Sequence, residues 1–300
     1  MNATLQTSEL RGNVLLDEPM SKHTSWRIGG PADRYYQPAD IADLSLFLSQ
    51  LPETEPVYWL GLGSNLLVRD GGIRGTVIAT SGVLDGLQQL DEKTVRAEAG
   101  VACAKVARFC ARAGLSGAEF LAGIPGTMGG ALAMNAGAFG GETWDVVTTV
   151  ETLDQRGCGQ HRTPDAFDIA YRHVSGPKGE WFVAAQLQLV PGGNSEALQA
   201  RIKALLAKRG DSQPTSLPNA GSVFRNPDGD FAARLIEACG LKGQCEGAAC
   251  VSDKHANFII NTGGATAHDV ETLIKNIVKT VMEKQAVQLQ REVHIVGETT

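Results

Sequence analysis

Apolar positions recur at helical spacing in five places along the chain. In DIADLSLFLSQL, Leu44, Phe47, Leu48 and Leu51 share one face behind Asp40, a residue type suited to an N-cap. CAKVARFCARAG predicts a second helix closed by Gly114, which suits a helix end. After the turn PGGNS, Leu198, Ile202, Leu205 and Leu206 mark a third, capped by Asn194 or Ser195 and stopped at Gly210. FAARLIEACG is a short fourth. The fifth is the clearest: Thr266 with Asp269 makes a capping box, and Val270, Leu273, Ile274, Ile277, Val278, Val281 and Met282 form one apolar stripe. Between these lie runs read as strands: VYWLGLGSNLLV, TVIAT, residues 87–90, 95–98, 146–153 and 181–189, HANFIIN and EVHIV. Strands outnumber helices and do not alternate with them regularly, so the expected class is α+β and not a doubly wound sheet. The PGGNS turn is the expected boundary between a first domain, 1–193, and a second, 194–300.

Composition narrows the function classes. At 300 residues, 43% hydrophobic and 20% charged, the chain is long enough for two domains with sizeable cores. A net charge of −6 argues against a nucleic-acid partner but leaves room for small anions held by local groups. The six cysteines make no CxxC pair and have no histidine at zinc-like spacing, so no metal is expected and the thiols are expected to be free and mostly buried. The polar start, MNATLQTSELRGNV, lacks the features of a signal peptide. The charge-free run 120–141 is too weakly apolar for a membrane span. A cytoplasmic location is expected, and the oligomeric state stays open, a monomer included.

Two glycine-rich segments stand out. GLGSN, residues 61–65, follows the strand VYWL and begins like a dinucleotide fingerprint, but Leu66 stands where the third glycine belongs. The residues after it read as a strand, and a Rossmann site needs a helix there. What remains is a tight turn, or a nest of N–H groups beside Ser64 and Asn65 suited to an anion. The second segment, AGIPGTMGGALAMNAGAFGG at 122–141, has seven glycines and no charge. Any phosphate there must be held by amides and a helix N-terminus. Asn135 can bond either a ligand or its own turn.

These segments belong to a larger pattern. HTSWRIGGPAD (23–33), LGLGSNLLVRDGG (60–72), GIPGTMGGALAMNAGAFGG (123–141), YRHVS (171–175), NAGSVFRNP (219–227), VSDKHANFIIN (251–261) and REVHIVGE (291–298) occur in the order found in the UDP-N-acetylmuramate dehydrogenases, also called UDP-N-acetylenolpyruvoylglucosamine reductases. The chain resembles that family from about residue 20 to residue 298. The resemblance implies a two-subdomain FAD-binding domain of the vanillyl-alcohol-oxidase/PCMH type, with subdomains at about 1–82 and 83–193, followed by an α+β substrate-binding domain. It implies noncovalent FAD, NADPH as reductant, and UDP-N-acetylglucosamine enolpyruvate as substrate in peptidoglycan precursor synthesis. FAD contacts are expected at Gly61, Gly63, Ser64, Asn65 and Leu66, and at Gly123, Pro125, Gly126, Gly129, Gly130, Asn135, Ala136 and Gly137.

The implied reaction turns an enolpyruvyl ether into a lactyl ether. Hydride delivery to the vinyl carbon leaves negative charge spread into the adjacent carboxylate, which needs a cationic or proton-donating clamp and an acid for the α-carbon. By resemblance, Arg172 and Glu292 steady that charge and Ser222 delivers the proton. Glu292 helps only when protonated, so burial is expected to raise its pKa. Arg225 and Asn226 are candidates for the substrate diphosphate, although Asn226–Pro227–Asp228–Gly229 also suits a plain β-turn. His255 and Asn257 are expected to hold their domain together. No tyrosine lies between Arg172 and Ser222, so the chain resembles the branch that lacks a tyrosine-bearing loop. CEGAACVS places Cys250 where the family commonly has glutamine, and REV replaces a frequent Pro-Glu-Val. The rival readings are a flavin oxidase of the same fold acting on an alcohol or sugar, and a non-catalytic nucleotide binder.

Overall fold

The structure, a computed structural model, describes residues 9–300; the first residues of the polar amino-terminal stretch lie outside them. The chain forms two compact units. The first takes the described residues up to Leu15 with Arg34–Gly61 and Gly75–Lys208, and the second takes Leu16–Asp33, Leu62–Arg74 and Arg209–Thr300. The units therefore divide at 208/209, whereas a linear reading of turns puts a boundary at 193/194. The helix after PGGNS buries Leu198 and Ile202 in the first unit's core, which carries the break beyond it.

In the first unit, four helices and two groups of strands matter for the site. Helix α1 (Ile41–Gln50) starts at Asp40, whose carboxylate accepts the Asp43 N–H at 2.8 Å. Helices α2 (Cys103–Arg112), α3 (Met128–Met134) and α4 (Ser195–Ser212) follow, α4 beginning in this unit. An antiparallel sheet runs in the order Gly159–Arg162, Val147–Asp154, Glu180–Gln188, Thr94–Glu98, Leu87–Gln89. Val95, Ala97, Val150 and Leu187 on this sheet join Val106 and Cys110 of α2 and Met128 and Leu132 of α3 in one core. In another sheet, Val57–Leu60 pairs in parallel with 76–79. Beside it Tyr36 and Phe47 stack with centroids 3.7 Å apart, joined by Ile78, Leu153 and Val183. Helix α3 was not legible in the glycine-rich run. Its buried face is only Met128, Ala131 and Leu132, and glycine is a poor helix former, so the helix is imposed by packing.

The second unit contains α5 (Ala232–Ala238) and α6 (Ala267–Gln285) over a three-stranded meander, Cys245–Glu246, Ala249–Val251 and Ile259–Asn261. Strand Leu66–Val68 pairs in parallel with His294–Val296. The fully buried Trp26 donates its indole N–H to Ile259 O at 2.8 Å, and Asn261 Nδ2 donates to Trp26 O at 2.9 Å. That exchange explains why residues 16–33 fold with the carboxy-terminal unit. The capping box at Thr266 and Asp269 is present, and the Asp70 carboxylate accepts the N–H groups of Ala267 and His268 at 2.9 and 3.0 Å. The α6 stripe is wider than its buried face, since Met282 is 47% exposed. The predicted strand HANFIIN shortens to Ile259–Asn261, because a turn closes from Phe258 N–H to His255 O at 3.0 Å. Among the described residues no helix is long and apolar enough to cross a membrane.

The cysteines correct the expectation of free thiols. Cys245 and Cys250 stand opposite each other in the antiparallel register of adjacent strands and are joined by a disulfide. A hairpin this short brings into contact two residues that a spacing argument treated separately. Cys103, Cys110 and Cys239 are buried free thiols, and Cys158 is exposed. Burial pushes Cys103 and Cys110 up to about 12, so neither is a nucleophile.

Two stability outcomes follow. Thr266→Ala should lower stability by about 1 kcal/mol, read as a shift in the urea midpoint, because an N-cap oxygen is lost from α6. Asp43 is buried, which raises its carboxyl, but the Tyr36 hydroxyl and the Ala39 and Arg11 N–H groups outweigh that and hold it below the usual carboxylate range. A depressed folded-state pKa adds stability above the unfolded value of about 3.9 and loses it as pH falls through the folded one. Asp43→Asn should therefore flatten the loss of stability below about pH 4, measured by acid titration of the unfolding midpoint.

Candidate active site

In the first unit a cavity of about 250 Å³ opens beside the glycine-rich run. Part of its lining lacks side chains, at Gly61, Gly129 and Gly130, beside Leu60, Thr80 and Ala99. Its lining is also aromatic, with Trp59, Phe167, Trp181 and Phe182; Trp59 and Trp181 stack at 5.3 Å. A Cβ on Gly61 would lie 2.4 Å from Thr127 Oγ1, and one on Gly129 would lie 2.9 Å from Ala99 Cβ. The glycines are therefore required by space. Thr127 is buried, and its hydroxyl has no hydrogen-bond partner among the described residues. Glu180 lines the same cavity; the Arg162 guanidinium beside it holds its carboxyl below the usual carboxylate range, so it is ionised and paired.

Arg172 lies in a two-residue turn between strands Asp168–Ala170 and His173–Ser175. Its φ of 54° is in the left-handed region, an uncommon place for a residue with a side chain. Its guanidinium donates to Asn135 O at 3.2 Å and Gly137 O at 3.0 Å, and sits 4.9 Å from the Tyr171 ring centre. Arg172 is thus tied to the glycine-rich run. Asn135 ends α3 in a left-handed conformation and is buried. Its Nδ2 donates to Glu142 Oε2 at 2.8 Å and Ala170 O at 3.2 Å, and its Oδ1 accepts Trp144 N–H at 3.2 Å. Of the two options open in the sequence, the structure takes the internal one, so the Asn135 side chain is occupied within the protein.

The remaining residues of the second segment divide. Gly129 and Gly130 line the cavity, but Gly123 is packed against Phe139, and Gly126 O accepts the Cys103 N–H at 2.9 Å. Pro125 is exposed, and Ala136 O accepts both the N–H and the hydroxyl of Thr143. Gly137 is crowded by Gly141 O. None of these five lines the cavity. Residues that motif reading missed are Thr127 and the aromatic wall, whose only sequence signal was scattered Trp and Phe.

In the second unit the loop Gly63–Ser64–Asn65 leads into the strand at Leu66. Gly63 has φ 60°, and a Cβ there would meet His23 O at 2.3 Å. Ser64 is half-buried. Asn65 Nδ2 donates to Glu292 O at 3.1 Å, and His294 N–H donates to Asn65 O at 3.0 Å. Glu292 N–H donates in turn to Val223 O at 2.8 Å, and Arg225 N–H to Gln290 O at 2.9 Å. The structure therefore brings Asn65, Glu292, the chain after Ser222 and Arg225 into one hydrogen-bonded assembly. Asn226 Oδ1 accepts the Ala232 N–H at 3.1 Å, at the start of α5.

Comparison with known proteins places this geometry. Residues 32–160 match the model of an FAD binding domain, and residues 213–296 match that of the UDP-N-acetylenolpyruvoylglucosamine reductase C-terminal domain. The chain is 63% identical over 281 residues to the UDP-N-acetylenolpyruvoylglucosamine reductase of Alkalilimnicola ehrlichii, covering 94% of each. It is 60% identical over 288 residues to that of Methylococcus capsulatus, covering 96% of this chain and 94% of the relative. Among solved structures, UDP-N-acetylenolpyruvylglucosamine reductase from Thermus caldophilus is 33% identical with a TM-score of 0.80, covering 95% of this chain and 99% of that one.

The crowded cavity wall yields a direct test. Gly61→Ala should destabilise the protein by about 1–3 kcal/mol through overpacking against Thr127. In a Thr127→Ala background most of that loss should disappear, a coupling of about 1 kcal/mol or more in a denaturation double-mutant cycle.

Proposed function

The chain belongs to the UDP-N-acetylenolpyruvoylglucosamine reductase family, and from that premise we propose that it reduces UDP-N-acetylglucosamine enolpyruvate to UDP-N-acetylmuramate, with NADPH as reductant. FAD, when bound, supplies hydride to the vinyl carbon of the substrate. The residues present fit such a cofactor. The bare walls at Gly61, Gly129 and Gly130 let phosphate oxygens approach main-chain amides, the unpartnered Thr127 hydroxyl lies behind Gly61, and the aromatic wall suits a flat ring system. The first unit therefore holds the cofactor, chiefly through those residues.

The chemistry of the second half rests on side chains. The Arg172 guanidinium, permanently charged and fork-shaped, meets the substrate carboxylate as negative charge develops on it. Two main-chain carbonyls, Asn135 O and Gly137 O, hold the guanidinium in place for that role. The protonated Glu292 carboxyl shares the developing charge. Ser222 Oγ passes its proton to the α-carbon, and the resulting alkoxide is restored from water. Support for this pairing comes mainly from one observation: the main chains at Val223 and Glu292 are hydrogen-bonded at 2.8 Å, so the proposed acid and its partner stem from adjoining backbone. Arg225 is retained as a candidate for the substrate diphosphate, and Asn226 contributes through the loop it shapes. The cytoplasm is the compartment in which a UDP-sugar reductase of this kind acts.

Purified protein should show the absorption of an oxidised flavin and oxidise NADPH only when the enolpyruvyl substrate is present. In stopped flow, Ser222→Ala should leave reduction by NADPH within about twofold and slow reoxidation by substrate by about 100-fold or more, the usual contribution of a general acid. Equal loss in both halves would remove Ser222 from the role.

A further inference from the structure

We propose that Asn257 is the positioning residue that aims the Ser222 hydroxyl, a role that rests on the reading of Ser222 as proton donor. The segment 222–224 belongs to no regular sheet; its one strand-like link is the isolated antiparallel bridge between Phe224 and Arg291. On that side Glu292 N–H bonds Val223 O at 2.8 Å. Asn257 supplies other bonds. Its Oδ1 accepts Phe224 N–H at 3.0 Å, its Nδ2 donates to Phe224 O at 2.8 Å, and its main-chain O accepts Val223 N–H at 2.9 Å. The carboxamide offers Phe224 the donor and acceptor that a neighbouring strand's peptide would offer.

All three residues are buried: Asn257 is 3% exposed, Val223 0% and Phe224 1%. Burial makes these bonds strong and costly to lose. Before Ser222 the chain passes through Gly221 at φ 72°, whose N–H is accepted by Asn219 Oδ1 at 2.9 Å. On the carboxy-terminal side Asn257 holds both of the next two residues, and that side bears the larger share of setting the direction of Ser222. Asn257 touches neither substrate nor reacting atoms in this role. It acts through the position of the Ser222 O–H bond, which breaks as the C–H bond forms at the α-carbon; the alkoxide then recovers a proton from water. A displacement of about 1 Å in such a donor is enough to cost about 100-fold in rate.

The test uses the flavin-loaded enzyme carrying Asn257→Asp or Asn257→Ala, with Ser222→Ala as reference. Reduction by NADPH, substrate Kd and flavin content should stay near wild type in both Asn257 variants. Reoxidation by substrate should slow by about 10- to 100-fold, with a larger solvent deuterium isotope effect. Asn257→Asp adds a pH signature. A protonated aspartic acid can still donate to Phe224 O while accepting from Phe224 N–H; the carboxylate cannot donate, and burial beside that carbonyl raises its pKa. Its defect should therefore shrink as pH falls through that raised pKa, whereas Asn257→Ala stays slow throughout. If Ser222→Ala slows both half-reactions alike, the reading of Ser222 fails and the positioning role falls with it. If Ser222→Ala behaves as expected but the Asn257 variants reoxidise normally, or lose both halves in step with Tm, the positioning role alone is overturned. Failure of both Asn257 variants to fold would overturn it as well, since the carboxamide would then serve the fold.

Discussion

Buried main chain that lacks a neighbouring strand must find hydrogen bonds elsewhere, and here asparagine carboxamides repeatedly supply them. Asn135 ties the end of α3 to Ala170, next to the Arg172 turn. Asn257 brackets Phe224, Asn65 reaches Glu292 O, and Asn261 holds Trp26 O while accepting Gly263 and Ala265 N–H groups. Asn219 does the same for the chain just before Ser222, accepting Gly221 N–H and donating to Pro214 O. A carboxamide carries the same donor and acceptor as a peptide unit, so it can end a ladder at one residue without a further strand. Irregular backbone is thereby held firmly where functional side chains project.

Space is the second constraint, and glycine meets it. At Gly61 and Gly63 an added Cβ would collide with Thr127 and with His23 O. The same economy leaves part of the cavity lining without side chains, which is what a phosphate-bearing cofactor needs if no lysine or arginine is present to hold it. Elsewhere in the run the glycines serve packing alone: Gly123 accommodates Phe139 and Gly141 accommodates Phe120. One composition thus carries two roles. Only the identity of the neighbours separates them.

The proposed catalytic groups divide between the two units. Arg172 sits in the first, braced by carbonyls of the glycine-rich run in a backbone conformation that carries strain. Ser222 and Glu292 sit in the second, on backbone joined by one bond between Val223 and Glu292. The units are discontinuous in sequence, with residues 16–33 and 62–74 folded beside the carboxy-terminal part. Within that unit the strand at Leu66 runs parallel to the one at His294, so the end of the first glycine loop and the chain bearing Glu292 share one small sheet.

Much of this was legible in the order of residues. The helices at Asp40, at Cys103 and at Thr266 were readable because caps and apolar spacing are local, and the bonds that make them lie within one turn. Ordered motifs likewise carried the family, since each is a short string whose meaning survives without coordinates. Tertiary structure alone decided the rest. Helix α3 has too few apolar residues to announce itself, the Cys245–Cys250 bond depends on a hairpin register, and the use of Asn135 and Asn257 depends on what folds against them. Spacing along a chain encodes contacts within a few residues; contacts across 33 positions, as between Phe224 and Asn257, exist only once packing has chosen which buried groups must satisfy each other.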